Sequence, residues 1–569
     1  MIEWVPTNGR ARGTSVAATI GWLVFALQGC GGASVPDEQT SQSAGQVAPA
    51  TAAPKVTHYA ASRFAEQASF GPTPALVAEL RAKGFDKWID EQLGLPFVPI
   101  DIRPAEAFYG YTDRDDVPDA LWSYPDREFM RLALVAPDQL RLRVTWSLSQ
   151  VIVATKAAGR PPGEVNWVNL LYRHSFGLYG PLLRDTSTNR LMGWYLNNDQ
   201  NRPKSPECPH CAPNENYARE LMQLFSIGVF KLAPDGTPVR NGRGRLIESY
   251  TQTDVEELAR ALTGWTPDRN PPNTPDLAGQ DWVKPMVPST WPPERDAGQK
   301  EVLGRVFPAG QSQDKDLDDI VAMLMAHPNI APFVALRLIQ HLVKSDPSPA
   351  YVGRVAARFR NNGSGVAGDM KAVVKAVLLD AEARAGDAPD KSRYDDGKFR
   401  EPVLHRMALF RGMHCRSTFV QGPDDYWSVG SQRPFSQDSV FSYYTPFDRA
   451  PGSNLLAPEQ RLVDATELTS RMNETNSLRW NRVAQTNDMK PLRDAGCDVD
   501  RFISAYARSP KDFLDLLSER YFRGAMPPTL RSNLEEMIRQ PNWNALDTSQ
   551  GMTRMLDFAL ATPHFGVMR

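Results

Sequence analysis

The chain has 569 residues, 41 % of them hydrophobic, and its 64 basic and 66 acidic side chains leave a formal net charge of -2. That length can bury a large core, as roughly two to four domains or as one large lobed domain. The balanced charge, with no long single-sign run, argues against a nucleic-acid partner, and 47 prolines, about 8 % of the chain where about 5 % is usual, predict long stiffened connections.

The first element reads as an address. Arg10 and Arg12 precede SVAATIGWLVFALQGC, whose apolar run of about a dozen residues is too short to span a membrane comfortably but suits a signal-peptide core. Its end, Leu27-Gln28-Gly29-Cys30, resembles the lipobox of bacterial lipoproteins, with 1–29 removed and Cys30 lipidated. Gln28 departs from the small or aliphatic residue usual there, so ordinary cleavage a few residues later is the alternative. By the same resemblance, Gly31 rather than Asp favours sorting to the outer membrane. Residues 30–56 lack aromatics and apolar periodicity, as a flexible tether would, with a reach of roughly 25–30 Å. The expected place of work is the cell envelope, on the membrane through a lipid anchor, at the outer membrane or the periplasmic face.

From 57 to 569 the pattern predicts a mainly helical, all-α domain, in one body or two lobes. Phe85, Trp88, Ile89 and Leu93 recur at helical spacing, as do Leu140, Val144, Leu148, Val151 and Ile152 behind Pro137-Asp138. Asn214 to Ser226 reads as an amphipathic helix, with Tyr217, Leu221, Leu224 and Phe225 as its apolar stripe. Its N-terminal end carries a polar ridge of Asn214, Glu215, Asn216, Arg219 and Glu220, which in the plainest account is a cap and an i,i+4 ion pair. Thr253-Asp254-Val255-Glu256 reads as a capping box ahead of Leu258, Ala259 and Leu262, with Gly264 as the stop. Further helices are expected at 315–326, at 330–343 and from Asp369. Alternating strand patterns are scarce. Two long irregular stretches remain, 266–312 with nine prolines and the aromatic-rich 416–460.

NENYARELMQLFSIGV (214–229) followed by YTQTDVEELARALTGW (250–265) closely resembles the hallmark of the mainly bacterial family known as domain of unknown function 1800. RFAEQASFGPT (63–73), HPNIAPFVALRLIQHLV (327–343), KFREPVLHRM (398–407) and 434–460 support the resemblance along the chain. It implies an exported, mostly helical protein, commonly encoded beside a second exported family related to the alkaline phosphatase and sulfatase fold, but no particular reaction. Carried over by motif, the site candidates are Asn214, Glu215, Asn216, Arg219 and Glu220, then Trp265, Arg400 and Glu401. Many family members carry a Trp-His-x-His-Phe segment where this chain has Trp146-Ser147-Leu148-Ser149-Gln150, so no role of those histidines carries over to this chain. Each candidate could equally belong to a buried polar network that fixes helix packing.

CPHC, 208–211, admits a redox, a zinc or a disulfide reading. The polar, proline-broken NNDQNRPKSPE upstream supplies no strand for a thioredoxin-like site, and Cys208, His210 and Cys211 make a zinc set only if His414 or Cys415 folds nearby. Apart from Cys30 there are four cysteines, Cys208, Cys211, Cys415 and Cys497, an even number that in an exported protein favours disulfides of undetermined pairing. No metal or cofactor is expected. The G-x-G-x-x-G at 363–368 follows helical spacing rather than a strand and reads as a connector. Two functions remain. One is a lipid-anchored scaffold or binding protein that meets an exported sulfatase-like partner or a glycan through the 266–312 and 416–460 loops. The other is a hydrolase or transferase on an envelope polymer or glycan, with Glu215 or Glu220 as acid or base and Arg219 holding an anion.

Overall fold

Gln139–Val151 is a helix buried on every face. Leu140, Val144, Leu148 and Val151 pack into one hydrophobic core, whereas Leu142 and Trp146, on the opposite side of the helix, pack into a second. Pro161–His174 divides its side chains the same way, sending Trp167, Leu170 and Leu171 to the first core and Val165, Val168 and Tyr172 to the second. A helix with two apolar stripes can only be satisfied between two bodies of apolar side chains, and each fully buried large residue contributes about 2 kcal/mol.

The computed structural model describes residues 56–109, 119–155, 161–268, 282–391, 397–417, 432–478, 489–544 and 546–569. The signal segment, Cys30 and nearly all of the tether lie outside the described residues. The described residues belong to one compact unit, Lys55–Arg569, and the fold is predominantly α-helical. The first core collects His58–Ala68, Asn216–Gln223, Gln252–Ala261, Gln313–Ala326, Ile330–Leu342, Pro349–Arg360 and Met370–Leu379. The second collects Tyr124–Val135, Pro402–Gly412, Val499–Arg508, Pro510–Tyr521 and Thr548–Leu560. Cys415–Cys497 joins the end of Pro402–Gly412 to the approach of Val499–Arg508, and Cys208–Cys211 closes a small surface loop.

Several boundaries follow their sequence signals. Asp369 caps Met370–Leu379 by accepting from the backbone of Lys371 and Ala372, and Gly264 takes a φ of +86° after Gln252–Ala261. Asn361 and Asn362 accept four backbone N–H groups of the 363–368 segment, which joins two helices.

The capping box, however, is Thr251 with Asp254, two residues before the expected pair. Thr251 Oγ1 accepts from Asp254 N at 3.2 Å and Asp254 Oδ2 accepts from Thr251 N at 2.7 Å, while Asp254 Oδ1 takes the Leu303 N–H at 2.7 Å. A start at Thr253 would forfeit that last bond. The 214–226 helix is also shorter than expected, Asn216–Gln223, because Ile227 N and Gly228 N both close on Met222 O. Gly228 holds a φ of +71° with the Phe333 ring packed where a Cβ would stand.

Among the described residues the strands form three antiparallel two-stranded ladders. One is a tight hairpin, Lys300–Val302 against Arg305–Phe307, turning through Leu303 and Gly304 at positive φ. Its Leu-Gly lacks the usual Asn-Gly signal.

Candidate functional site

The polar ridge is arranged by its neighbours. Asn201 clamps Asn214 through both amide atoms, its Oδ1 accepting from Asn214 N at 2.7 Å and its Nδ2 donating to Asn214 O at 3.3 Å. Asn214 Oδ1 accepts from Asn216 N, and Asn216 Nδ2 donates to Asn197 Oδ1. Arg219 pairs with Glu215 at 2.7 Å, and Gln252 Nε2 donates to the same Glu215 oxygen at 2.9 Å, tying the two motif helices together. Trp265 braces the base: its carbonyl accepts from Gln200 N, and Gly264 N donates to Asn201 O, while its ring is buried.

Five residues after Glu215, helical geometry turns Glu220 inward. It is 6 % exposed, and its Oε2 is buried without a hydrogen-bond partner. Burial pushes its carboxyl up to about 7, against the pull of Arg219. Tyr195 and Tyr250 are close enough that Glu220 helps to raise their hydroxyls, after burial as the larger cause. Beyond Tyr195 lies a groove of about 350 Å³ lined by Gly193, Trp194, Tyr195, Asn197 and Asp199. Trp194 is 39 % exposed there. The backbone reaches this shape through Asn197, at a φ of 58° that asparagine tolerates. Gly193 is needed because a Cβ would overlap the Met286 side chain. Asp199 is held by Arg190, whose guanidinium lies over the Trp282 ring.

A second polar cluster lies in the seam between the two cores, and there the sequence candidates Arg400 and Glu401 part company. Glu401 is fully buried against Lys398 at 2.8 Å and accepts from Gln150 and Gln432. Lys398 also faces Glu459 at 3.2 Å. Arg143 and Lys398 both donate to His341 O, a carbonyl in the last turn of Ile330–Leu342, where helix geometry favours cations. Burial alone would raise the Glu401 carboxyl, but Lys398, His341 and Arg143 hold it down at about 2. Burial raises Glu459, against the pull of Lys398, and lowers His341 to about 3, so its imidazole is neutral. Arg400 points the other way, to Glu66 at 3.2 Å and over the Phe565 ring at 4.2 Å, in a cluster that also takes Arg523 to Glu66.

The structure therefore brings Asn214, Glu215, Asn216, Arg219, Glu220 and Trp265 together and leaves Arg400 and Glu401 in two separate buried networks. Cys208 and Cys211 are bonded to each other at the surface, His210 is exposed, and Cys415 is bonded to Cys497. The groove residues Trp194, Tyr195 and Asn197, and the seam residues Arg143, Gln150, Arg337, His341, Lys398 and Glu459, were not singled out by sequence reasoning. For the seam a signal was present: Arg143, Ser147 and Gln150 make a polar i, i+4, i+7 stripe on the helix whose Leu140, Val144, Leu148 and Val151 mark an apolar face, and Phe333, Arg337 and His341 repeat every four residues.

A family model described as Protein of unknown function (DUF1800) matches residues 63–567, nearly the whole chain. The chain belongs to this family. No curated protein and no solved structure matches it. The segments that carry the DUF1800 resemblance meet at the two clusters just described: 214–229 and 250–265 at the ridge, 327–343, 398–407 and 434–460 at the seam. In the position of the family's Trp-His-x-His-Phe, Trp146 is core, Ser147 lies 3.4 Å from Arg143 Nη1, Ser149 O accepts from Gln437, and Gln150 donates to Glu401.

Proposed function

We propose that this DUF1800 protein is a lipid-anchored binding protein of the cell envelope whose ridge and adjoining groove hold a glycan. One observation carries the reading: Trp194 and Tyr195 line a groove with Asn197 and Asp199, and Asn216 of the ridge meets Asn197. Aromatic faces stack on the C–H faces of sugar rings, while amides and carboxylates bond their hydroxyls, so this mixture suits a neutral polar polymer. Most ridge polar groups are spent on one another, as in a rigid platform. A tether at residues 30–56 would let the body reach a polymer or an exported sulfatase-like partner while anchored at Cys30.

The test is direct titration of the full chain with soluble fragments of envelope polysaccharide. Trp194→Ala is expected to weaken binding about tenfold or more, as loss of an aromatic anchor does, while the melting temperature stays put. Equal binding by wild type and Trp194→Ala removes the groove from the account. Cys30→Ser is expected to release the protein from membranes, and retention would contradict the anchor.

A second reading is favoured by Glu220 alone. A carboxylic acid with one unpartnered buried oxygen, half protonated near pH 7, is poised as a general acid toward a polymer in the groove. It predicts bond cleavage in the bound polymer that falls as pH rises through about 7 and is lost in Glu220→Gln with binding retained. Retained polymer in every fraction, uncut, leaves binding alone.

A further inference from the structure

A small cavity of about 40 Å³ sits on the seam, apart from the groove. Gln150, Arg337, His341, Ser442 and Tyr444 form its polar side; Leu224, Phe333 and the exposed Phe441 form much of its apolar side. Four of the polar groups are buried with unused hydrogen-bonding capacity: Gln150 Oε1, His341 Nδ1, Ser442 Oγ and the Tyr444 hydroxyl. Arg337 is the unusual member. It is 7 % exposed, its Nη1 donates to Gln340 at 3.0 Å, and the Phe333 and Phe447 rings lie about 5 Å from its guanidinium carbon. Among the described residues no carboxylate pairs with it.

Charge in the seam is uneven. Lys398 pairs with Glu401 and Glu459, Arg143 acts on Glu401, His341 is neutral and Arg337 meets neither acid, so of three buried cations one lacks a counter-charge even with both acids ionised. A buried guanidinium is costly to leave uncompensated, by more than a hydrogen bond to a neutral amide returns. From the unpaired Arg337 at a cavity with a neutral polar wall and an apolar wall, we infer that the seam binds a short-chain organic carboxylate, its anionic end on the Arg337 guanidinium and its carbon end against Leu224 and Phe333. The planar fork of arginine matches a carboxylate through two parallel N–H donors. Ser442 Oγ supplies a further donor, and His341 Nδ1 one more in the tautomer that carries its proton there. A dianionic phosphate would bring a second charge that the seam's single excess cation does not balance. Because the cavity joins residues of both cores, occupancy would also stiffen one core against the other.

The experiment is calorimetric titration of the full chain with propionate, using chloride and inorganic phosphate at equal ionic strength as controls. Propionate is expected to bind one to one and to raise the melting temperature in step with occupancy. Arg337→Gln is expected to weaken binding about tenfold or more. Leu224→Phe, which fills the cavity from a half-buried position and leaves every charge in place, is expected to do the same should Arg337→Gln fail to fold. Absence of propionate binding to wild type at millimolar concentration overturns the proposal, as does equal binding by wild type and Leu224→Phe. Tighter binding of phosphate than of propionate overturns the assignment to carboxylates. None of these outcomes bears on the Trp194 groove, whose failure would show as lost polysaccharide binding with propionate binding intact.

Discussion

The ridge and the seam use similar side chains for different ends. On the ridge, Glu215 and Arg219 are four residues apart and more than a third exposed, and such pairs contribute under about 1 kcal/mol. In the seam, Glu401 reaches Gln150 across 251 residues, Arg143 reaches His341 across 198, and Lys398 and Glu401 have no solvent contact. There a missing partner strands a charge in low dielectric. An acid–base pair at a surface is adjustable, whereas the same pair between two cores is a condition of their assembly. On the function proposed above, contact with a large ligand falls to the ridge and its groove, while the seam joins the two cores.

Perturbing the seam should give the largest effects. Glu401→Ala leaves Lys398 with Glu459 as its remaining acidic partner and is expected to cost about 3–5 kcal/mol in denaturant unfolding, with the Trp194 groove still binding in whatever fraction folds. Losing Cys415–Cys497, which closes an 82-residue separation, is expected to cost about 4 kcal/mol under non-reducing conditions. The three-residue separation of Cys208–Cys211 restrains the unfolded chain far less, and its loss should cost under about 2 kcal/mol.

Acid and base separate His341 and Glu401 of the seam from Glu220 of the ridge by sign. His341 titrates at about 3 folded against 6.5 in its ordinary state, so the unfolded chain takes up a proton that the folded one refuses. Stability is then lost as pH falls from 6.5 toward 3, and Glu401, held at about 2 against 4.5, adds to the loss below pH 4.5. Glu220 acts oppositely: raised from 4.5 to about 7, it makes the folded chain the better proton acceptor, so stability falls as pH rises through that window. Glu220→Gln should therefore melt above wild type at pH 8, by on the order of 2 kcal/mol, and close to it at pH 4. Equal melting at both pH values would mean that the carboxyl is solvated. The smallest expected change is Glu215→Ala, under about 1 kcal/mol, which sharpens the contrast by altering the ridge without unfolding it.

What was legible in the sequence follows the same division. The NENYAREL helix and its Glu215–Arg219 pair are set by neighbours within four positions, and periodicity exposes them, whereas Glu220, read as part of the polar ridge, turns inward. The capping box was found but misplaced, since both Thr251 and Thr253 precede an acid by three, and only the distant Leu303 N–H decides between them. Arg400 and Glu401 are adjacent in sequence, yet their partners Glu66 and Gln150 belong to different helices, so no local pattern could part them. Trp194 and Asn197 were missed because a groove is made by a turn at positive φ and by the later strand residue Trp265, neither of which leaves a periodic trace.

Hydrogen exchange on the full chain with and without soluble envelope polysaccharide tests the division most directly. The account predicts that the polymer slows exchange within 193–201 and 214–223 only, while 337–345 and 398–405 exchange slowly in both states. Protection by the polymer at the seam, or none at the ridge and groove, would contradict it.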